Sequence, residues 1–292
     1  MSRRVGLPLL VLFLIVDVIL VVLVYRHVNQ PPPSSDVALE ETPAPEQVDN
    51  EQTAFEFDPA TAAVLDVTND GTVVWATRGS CQGAPGSVMT GTGNGAVMTP
   101  RSPGLQTVLS AAITGEGDVV LVGTKGNCVP IQLRSTDGGA SWDEDDEISL
   151  WYPSPTDVRT VVAPNGTASE PQCSVSSLSQ VDGNFARVTC VDGVVRGTGN
   201  AGAEWVVLGR LDNIRTATFT TFDTGYALAR FEGCAAFLFT TTDSGATWTD
   251  RSCIVGDPAR AVAASDTALV AVVGTDPKTF VSDDGGDSFG PA

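Results

Sequence analysis

The sequence is poor in the side chains that most enzymes use to move protons. A single histidine, His27, stands among 292 residues, and it lies outside the stretch that reads as folded. Ser-His-Asp and Cys-His catalysis, and metal sites built on imidazole, are thereby excluded from the folded part. Lysine is almost absent, with Lys125 and Lys278 the two examples, and the net charge is −19. So acidic a surface repels phosphate backbones, which excludes nucleic acid as the expected partner and leaves solubility as the plain reason for the acidity. Aromatics make up only 7% of the chain, and none of the six cysteines has C-x-x-C spacing. No metal and no cofactor is expected.

What is present divides the chain. Residues 1–4 carry Arg3 and Arg4, and residues 5–25 are an apolar run interrupted by Asp17. That length predicts a transmembrane signal-anchor helix, with the short N-terminus cytoplasmic and the rest outside. Asp17 would cost about 2.5–3.5 kcal/mol at the bilayer centre, which the surrounding Leu, Ile and Val absorb. Residues 26–53 are rich in Pro and acid and predict a disordered stalk. The localisation implied is a single-pass cell-membrane protein with an extracellular C-terminal domain. Scarce Lys with abundant Ala, Val and Thr suits the envelope of a high-GC Gram-positive bacterium.

From residue 54 to 292 short β-branched runs alternate with Gly- and Asp-bearing turns, as an all-β domain requires. One motif repeats: Ser135, Asp137, Gly139, Ser141, Trp142; then Thr241, Asp243, Gly245, Thr247, Trp248; then Ser282, Asp284, Gly286, Ser288, Phe289. An eroded copy keeps Thr198, Gly202 and Trp205 around Asn200, and a fainter one centres on Asn94. The motif centres at 94, 137, 200, 243 and 284 are spaced by 43, 63, 43 and 41 residues. A repeat of this size cannot bury its own faces, so its copies must stack and close.

The motif resembles the Asp-box of sialidase-type (BNR-repeat) β-propellers. The resemblance implies a five-bladed propeller with blades at about 60–105, 106–150, 170–210, 213–255 and 258–292. Residues 53–59 would supply a closing strand to the last blade. In such a box the Asp carboxylate accepts backbone N–H groups across its own turn, and Gly takes the positive φ that other residues avoid. These residues therefore read as structural. The catalytic residues of sialidases do not map onto the sequence, so the expectation is a non-enzymatic module for a protein, peptide or glycan. A sialidase-like exo-glycosidase and a purely structural envelope component are the alternatives.

Two further features follow from the layout. The excess in the 63-residue gap, roughly 143–172, carries Asp145, Asp146, Trp151 and Tyr152. It reads as a loop on the face opposite the boxes, and these four residues are its candidate binding surface. The cysteines gather toward one face of the repeat. Cys173–Cys190, Cys234–Cys253 and Cys81–Cys128 are the pairings the topology favours, although sequence alone leaves them open.

Overall fold

A computed structural model describes residues 57–292. The expected membrane helix at 5–25 and the stalk at 26–53 lie outside the described residues. Among the described residues no helix is long and apolar enough to cross a membrane, and the expected single-pass membrane localisation finds no support there. Two 3-10 turns are the helical elements, and the remainder is strands and turns.

The strands form six antiparallel sheets, each made from one continuous stretch of chain. The first holds β1 (Ala63–Val67), β2 (Val73–Thr77), β3 (Val88–Thr92) and β4 (Val97–Arg101). The second holds β5 (Thr107–Gly115), β6 (Asp118–Thr124), β7 (Pro130–Ser135) and β8 (Asp143–Asp145). The third holds β9 (Tyr152–Pro153), β10 (Val161–Val162) and β11 (Ala168–Ser169). The fourth holds β12 (Val175–Gln180), β13 (Ala186–Cys190), β14 (Val194–Thr198) and β15 (Val206–Arg210). The fifth holds β16 (Ile214–Phe219), β17 (Gly225–Phe231), β18 (Cys234–Thr241) and β19 (Thr249–Ile254). The sixth holds β20 (Ala259–Ala264), β21 (Leu269–Val273), β22 (Lys278–Ser282) and β23 (Gly290–Pro291).

The first strands of successive sheets are neighbours, and β20 returns to lie beside β1. The molecule is therefore a six-bladed β-propeller, not a five-bladed one. The 63-residue gap hid a reduced, three-stranded blade whose strands are two residues long and carry no box. In the sixth blade the fourth strand is Gly290–Pro291. Of the expected closing strand, residues 53–56 lie outside the described residues. Residues 57 and 58 lead into the 3-10 turn Pro59–Thr61, and 57–59 join no sheet.

Hydrophobic burial sits between blades, as two-faced apolar strands demand. Leu228, Ala236, Leu238 and Ile254 of the fifth blade pack on Val262, Leu269, Ala271 and Val273 of the sixth. The seam between last and first blades packs Trp75 on Ala261 and Val272, and Val67 and Val73 on Ala263 and Val270. Asn69 bridges that seam: its Nδ2 donates to Asp266 Oδ2 at 2.7 Å and its Oδ1 accepts the Asp266 amide at 2.8 Å.

The first strands have one edge on the axis, and an unpaired buried amide there would cost about 1–3 kcal/mol. Side chains of the preceding blade meet part of this demand. Asp66 Oδ2 accepts the Ile113 amide at 2.8 Å, while Ser177 and Ser179 hydroxyls accept those of Ala217 and Phe219 at 3.1 and 2.8 Å. Blades also approach closely at their outer parts. A Cβ at Gly209 of β15 would sit 2.0 Å from the Gly245 carbonyl oxygen in the next blade. Gly209→Ala is therefore expected to cost about 1–3 kcal/mol through overpacking, read as a lowered thermal midpoint.

The third blade runs against the others. Its leading residue, Trp151, donates its amide to Gln180 at the end of β12, whereas Val158, after β9, accepts the amide of Val175 at the start of β12. Thus β9 is antiparallel to β12. Its hairpin 154–160 faces the end of the ring where the other first strands begin. That end is called the entry end below, and the opposite one the box end.

Candidate ligand site at the entry end of the axial channel

Four first strands slip by one residue against their second strands close to where they start. The breaks fall between Val108 and Ser110, Val175 and Ser177, Ile214 and Thr216, and Ala259 and Ala261. The extra residues are Leu109, Ser176, Arg215 and Arg260. A β-bulge leaves its residue out of the ladder and re-aims the side chain, a device found at barrel rims and beside sites. All four residues line the central cavities.

Two cavities adjoin along the axis. The inner one, of about 250 Å³, has a hydroxyl-bearing wall of Ser110, Ser176, Ser177, Ser179, Thr216 and Thr218, faced by Ala, Val and Leu of the first two blades. The outer one, of about 220 Å³, forms the mouth, with Phe57, Thr61, Arg215, Pro258 and Arg260. Ala62, Ala63, Ser176 and Thr216 belong to both.

Arg78, just past β2, reaches the inner cavity. It is 8% exposed and donates to the Ser154 carbonyl oxygen, tying the first blade to the hairpin of the third. Burial pushes its guanidinium pKa down to about 10. Arg260 Nε donates to the Gly274 carbonyl at 3.1 Å. Arg134, Arg159, Arg210, Arg230 and Arg251 pair with carboxylates. Arg78, Arg187 and Arg260 are held by carbonyl oxygens instead, and of these Arg78 and Arg260 line the cavities. Burial lowers the Arg215 pKa, as does the nearby charge of Arg230, and Asp257 opposes both. Asp257 pairs with Arg230 at 3.1 Å on the rim.

The carboxyl side chain among the cavity-lining residues is Asp66. Burial raises its pKa against the hydrogen bonds it accepts from Ile113 and Val67. Arg159 and Arg210 line neither cavity and sit exposed in pairs with Glu170 and Asp212.

The repeated motif lies at the other end. Asp137 Oδ1 accepts from the Ser135 hydroxyl at 2.8 Å and from the Ala140 and Ser141 amides at 2.9 Å, and Oδ2 accepts from the Ser141 hydroxyl at 2.6 Å. Ser135 in turn accepts the Gly139 amide at 2.7 Å, with Gly139 at φ 87°. Asp243 does the same with Thr241 and Thr247, and Asp284 with Ser282 and Ser288. Thr241 and Ser282 accept the amides of Gly245 and Gly286. Asn200 Oδ1 takes the Thr198 hydroxyl and the Glu204 amide, both at 3.0 Å, and Thr198 accepts the Gly202 amide. Asn94 forms no such turn: it sits at φ 56° within the 3-10 segment Gly93–Gly95. The ring positions pack between blades: Trp205 lies edge-on to Trp151 of the third blade at 6.2 Å, and Trp248, edge-on to Phe219 of its own blade at 6.1 Å, joins a core that includes Val195 of the fourth. Trp142 and Phe289 join the interblade cores.

The four residues expected as a binding surface, Asp145, Asp146, Trp151 and Tyr152, are not presented together, because the two aromatics are buried. Trp151 is 0% exposed and Tyr152 8%. Asp145 receives Gln132 and Arg134 across its own sheet. Asp146 alone of the four is exposed. The aromatics are buried because residues 150–153 enter the ring as a blade, so their apolar area is needed for the core. The cysteines pair as Cys81–Cys128, Cys173–Cys190 and Cys234–Cys253.

No protein-family description and no curated sequence matches the chain. Solved structures share the fold. A fucose-binding lectin from Aleuria aurantia aligns over 80% of this chain and 96% of its own at 9% identity and a TM-score of 0.53. The PQQ-bound aldose sugar dehydrogenase of Streptomyces coelicolor aligns over 76% and 95% at 11% identity and 0.51. YCF48 bound to D1 peptide aligns over 81% and 71% at 17% identity and 0.33. The likenesses to the lectin and the dehydrogenase agree with the β-propeller fold. Nothing in them is specific to sialidases or BNR-repeat proteins, and that assignment is carried no further.

Proposed function

We propose that the chain is a non-enzymatic binding module whose ligand, a peptide or a glycan, places a carboxylate in the mouth lined by Arg215 and Arg260. The observation that carries this reading is the set of bulges. They lift two arginines and a serine out of their ladders and aim them at one cavity in a chain of charge −19. A guanidinium held by carbonyl oxygens keeps N–H donors for a planar anion, which it can grip with two parallel hydrogen bonds. The mouth is smaller than the few hundred Å³ of common ligand pockets, which favours a chain end over a chain middle. Glycoside hydrolysis uses two facing carboxyl groups. The two cavities offer Asp66, whose oxygens are already engaged by amides.

The test is calorimetric titration of the full chain with a terminal uronide and with a peptide bearing a free C-terminus. Each is paired with its neutral ester or amide. At least one charged form is expected to bind, and its neutral counterpart to bind about tenfold or more weakly, about 1.4 kcal/mol. Arg260→Ala is expected to show a similar loss, with Arg260→Lys recovering only part of it. Equal binding of charged and neutral forms, or binding of neither class, would sink the reading.

A further inference from the structure

We infer that the ligand end of the ring is fastened by disulfides and opens on reduction, while the box end stays closed. The two ends use different chemistry. At the box end, Asp137, Asn200, Asp243 and Asp284 close their turns with hydrogen bonds, and no cysteine lies in those turns. All three disulfides lie at the entry end. Cys81 sits in the β2–β3 connection and Cys128 in the β6–β7 connection, so this bridge joins two blades. Cys173 precedes β12 and Cys190 ends β13. Cys234 opens β18 and Cys253 lies near the end of β19.

Each bridge lies within a few residues of a side chain that lines one of the two cavities. Cys81 follows Arg78 by three residues, in a loop otherwise held by Gln106, whose Nε2 reaches the Ser80 and Gly83 carbonyls at 2.9 Å. Cys173 leads into the bulged Ser176, whose hydroxyl donates to the Thr189 carbonyl beside Cys190. Beyond Cys253 the chain runs through Asp257 and Pro258 to Arg260, and the Arg230–Asp257 pair spans the same corner. Access differs between bridges. Cys190 is fully buried and its half-buried partner Cys173 packs against the core between the third and fourth blades, whereas Cys81 and Cys128 are partly exposed outside any such core and Cys253 is exposed. A thiolate must reach sulfur to exchange, so Cys81–Cys128 and Cys234–Cys253 are the reducible pair. Each takes two electrons and two protons from a dithiol, which leaves as a disulfide, and two cysteine thiols remain. The mouth-side connections then lose their covalent ties, and ligand binding is confined to oxidising surroundings.

The experiment follows amide hydrogen exchange by mass spectrometry on the full chain as dithiothreitol is titrated in. Exchange is expected to rise about tenfold or more at 79–87, 125–130 and 252–258, and to change less than about twofold at 135–142 and 241–248. The double variant Cys81→Ser/Cys128→Ser should reproduce the first two segments without reductant. If that variant does not fold, the titration of the unmodified chain decides alone. A rise of equal size at both ends, or none at the entry end, overturns the inference. A carboxylate probe that fails to bind the oxidised chain overturns the proposed ligand and leaves the exchange result standing.

Discussion

Replacing Trp151 by alanine is expected to lower the unfolding free energy by about 3–5 kcal/mol, read as a shifted urea midpoint. The indole is wholly buried among Val161, Ala163, Val175, Ala186, Val188 and Ala201. Its amide donates to Gln180 Oε1 at 2.9 Å and its Nε1 to the Asp182 carbonyl at 2.8 Å, so the side chain joins the third blade to the fourth. Alanine would leave a cavity too apolar for water and remove the indole's hydrogen bond to the Asp182 carbonyl. Trp151→Phe keeps most of the volume and loses the second bond, so its cost should be nearer about 1–3 kcal/mol. Unfolding of Trp151→Ala at the parent midpoint would show that the third sheet is not part of the cooperative core.

Acid should unfold the ring from its box end. Hydrogen bonds hold the carboxyls of Asp137, Asp243 and Asp284 below their ordinary pKa, led by the hydroxyls of Ser141, Thr247 and Ser288 respectively. Each folded pKa is thus lower than the unfolded value of about 3.9. The stability each contributes is complete above that unfolded value and is lost as pH falls toward the folded one. Asp66 has the opposite sign, because burial raises its folded pKa and its contribution declines as pH rises. The triple variant Asp137→Asn, Asp243→Asn, Asp284→Asn should remove up to about three protons from the uptake on unfolding below about pH 4. Its stability against pH, followed by circular dichroism with urea, should be flatter there and lower at neutral pH. An unchanged slope would show that these carboxylates do not report on folding.

The boxes were legible because their chemistry is written in residue types. Ser135, Asp137, Gly139 and Ser141 each make a local bond that few other residues can make, so the turn survives in sequence as a pattern. The third blade left no such trace. Tyr152–Pro153, Val161–Val162 and Ala168–Ser169 are too short to show alternation. Trp151 and Tyr152 were misplaced for the same reason, since aromatics in an unexplained stretch look like loop contacts. The site was hidden differently. Arg215 and Arg260 hold the same position, second in the first strand of their blades, and Ser176 and Leu109 align with them. Aligning the repeats by first strand instead of by box would have exposed that column. No local signal announces Arg78, whose role depends on a hairpin some 76 residues away.

The seam at Asn69 bears on how the ring is assembled. Most interblade joints connect stretches close in sequence, such as Ser177 to Ala217, 40 residues apart. The seam connects Asn69 to Asp266, 197 residues apart. Loop-closure entropy makes that encounter about 1.4 kcal/mol harder before any contact is gained. Blades can therefore nucleate and spread along the chain from several starting points. An open arc then precedes the circle, with the apolar flanks of Trp75 and Val272 exposed until the two ends meet. In that interval the arc can dock onto a second arc as readily as onto itself, so crowding during refolding should divert chains into linear oligomers.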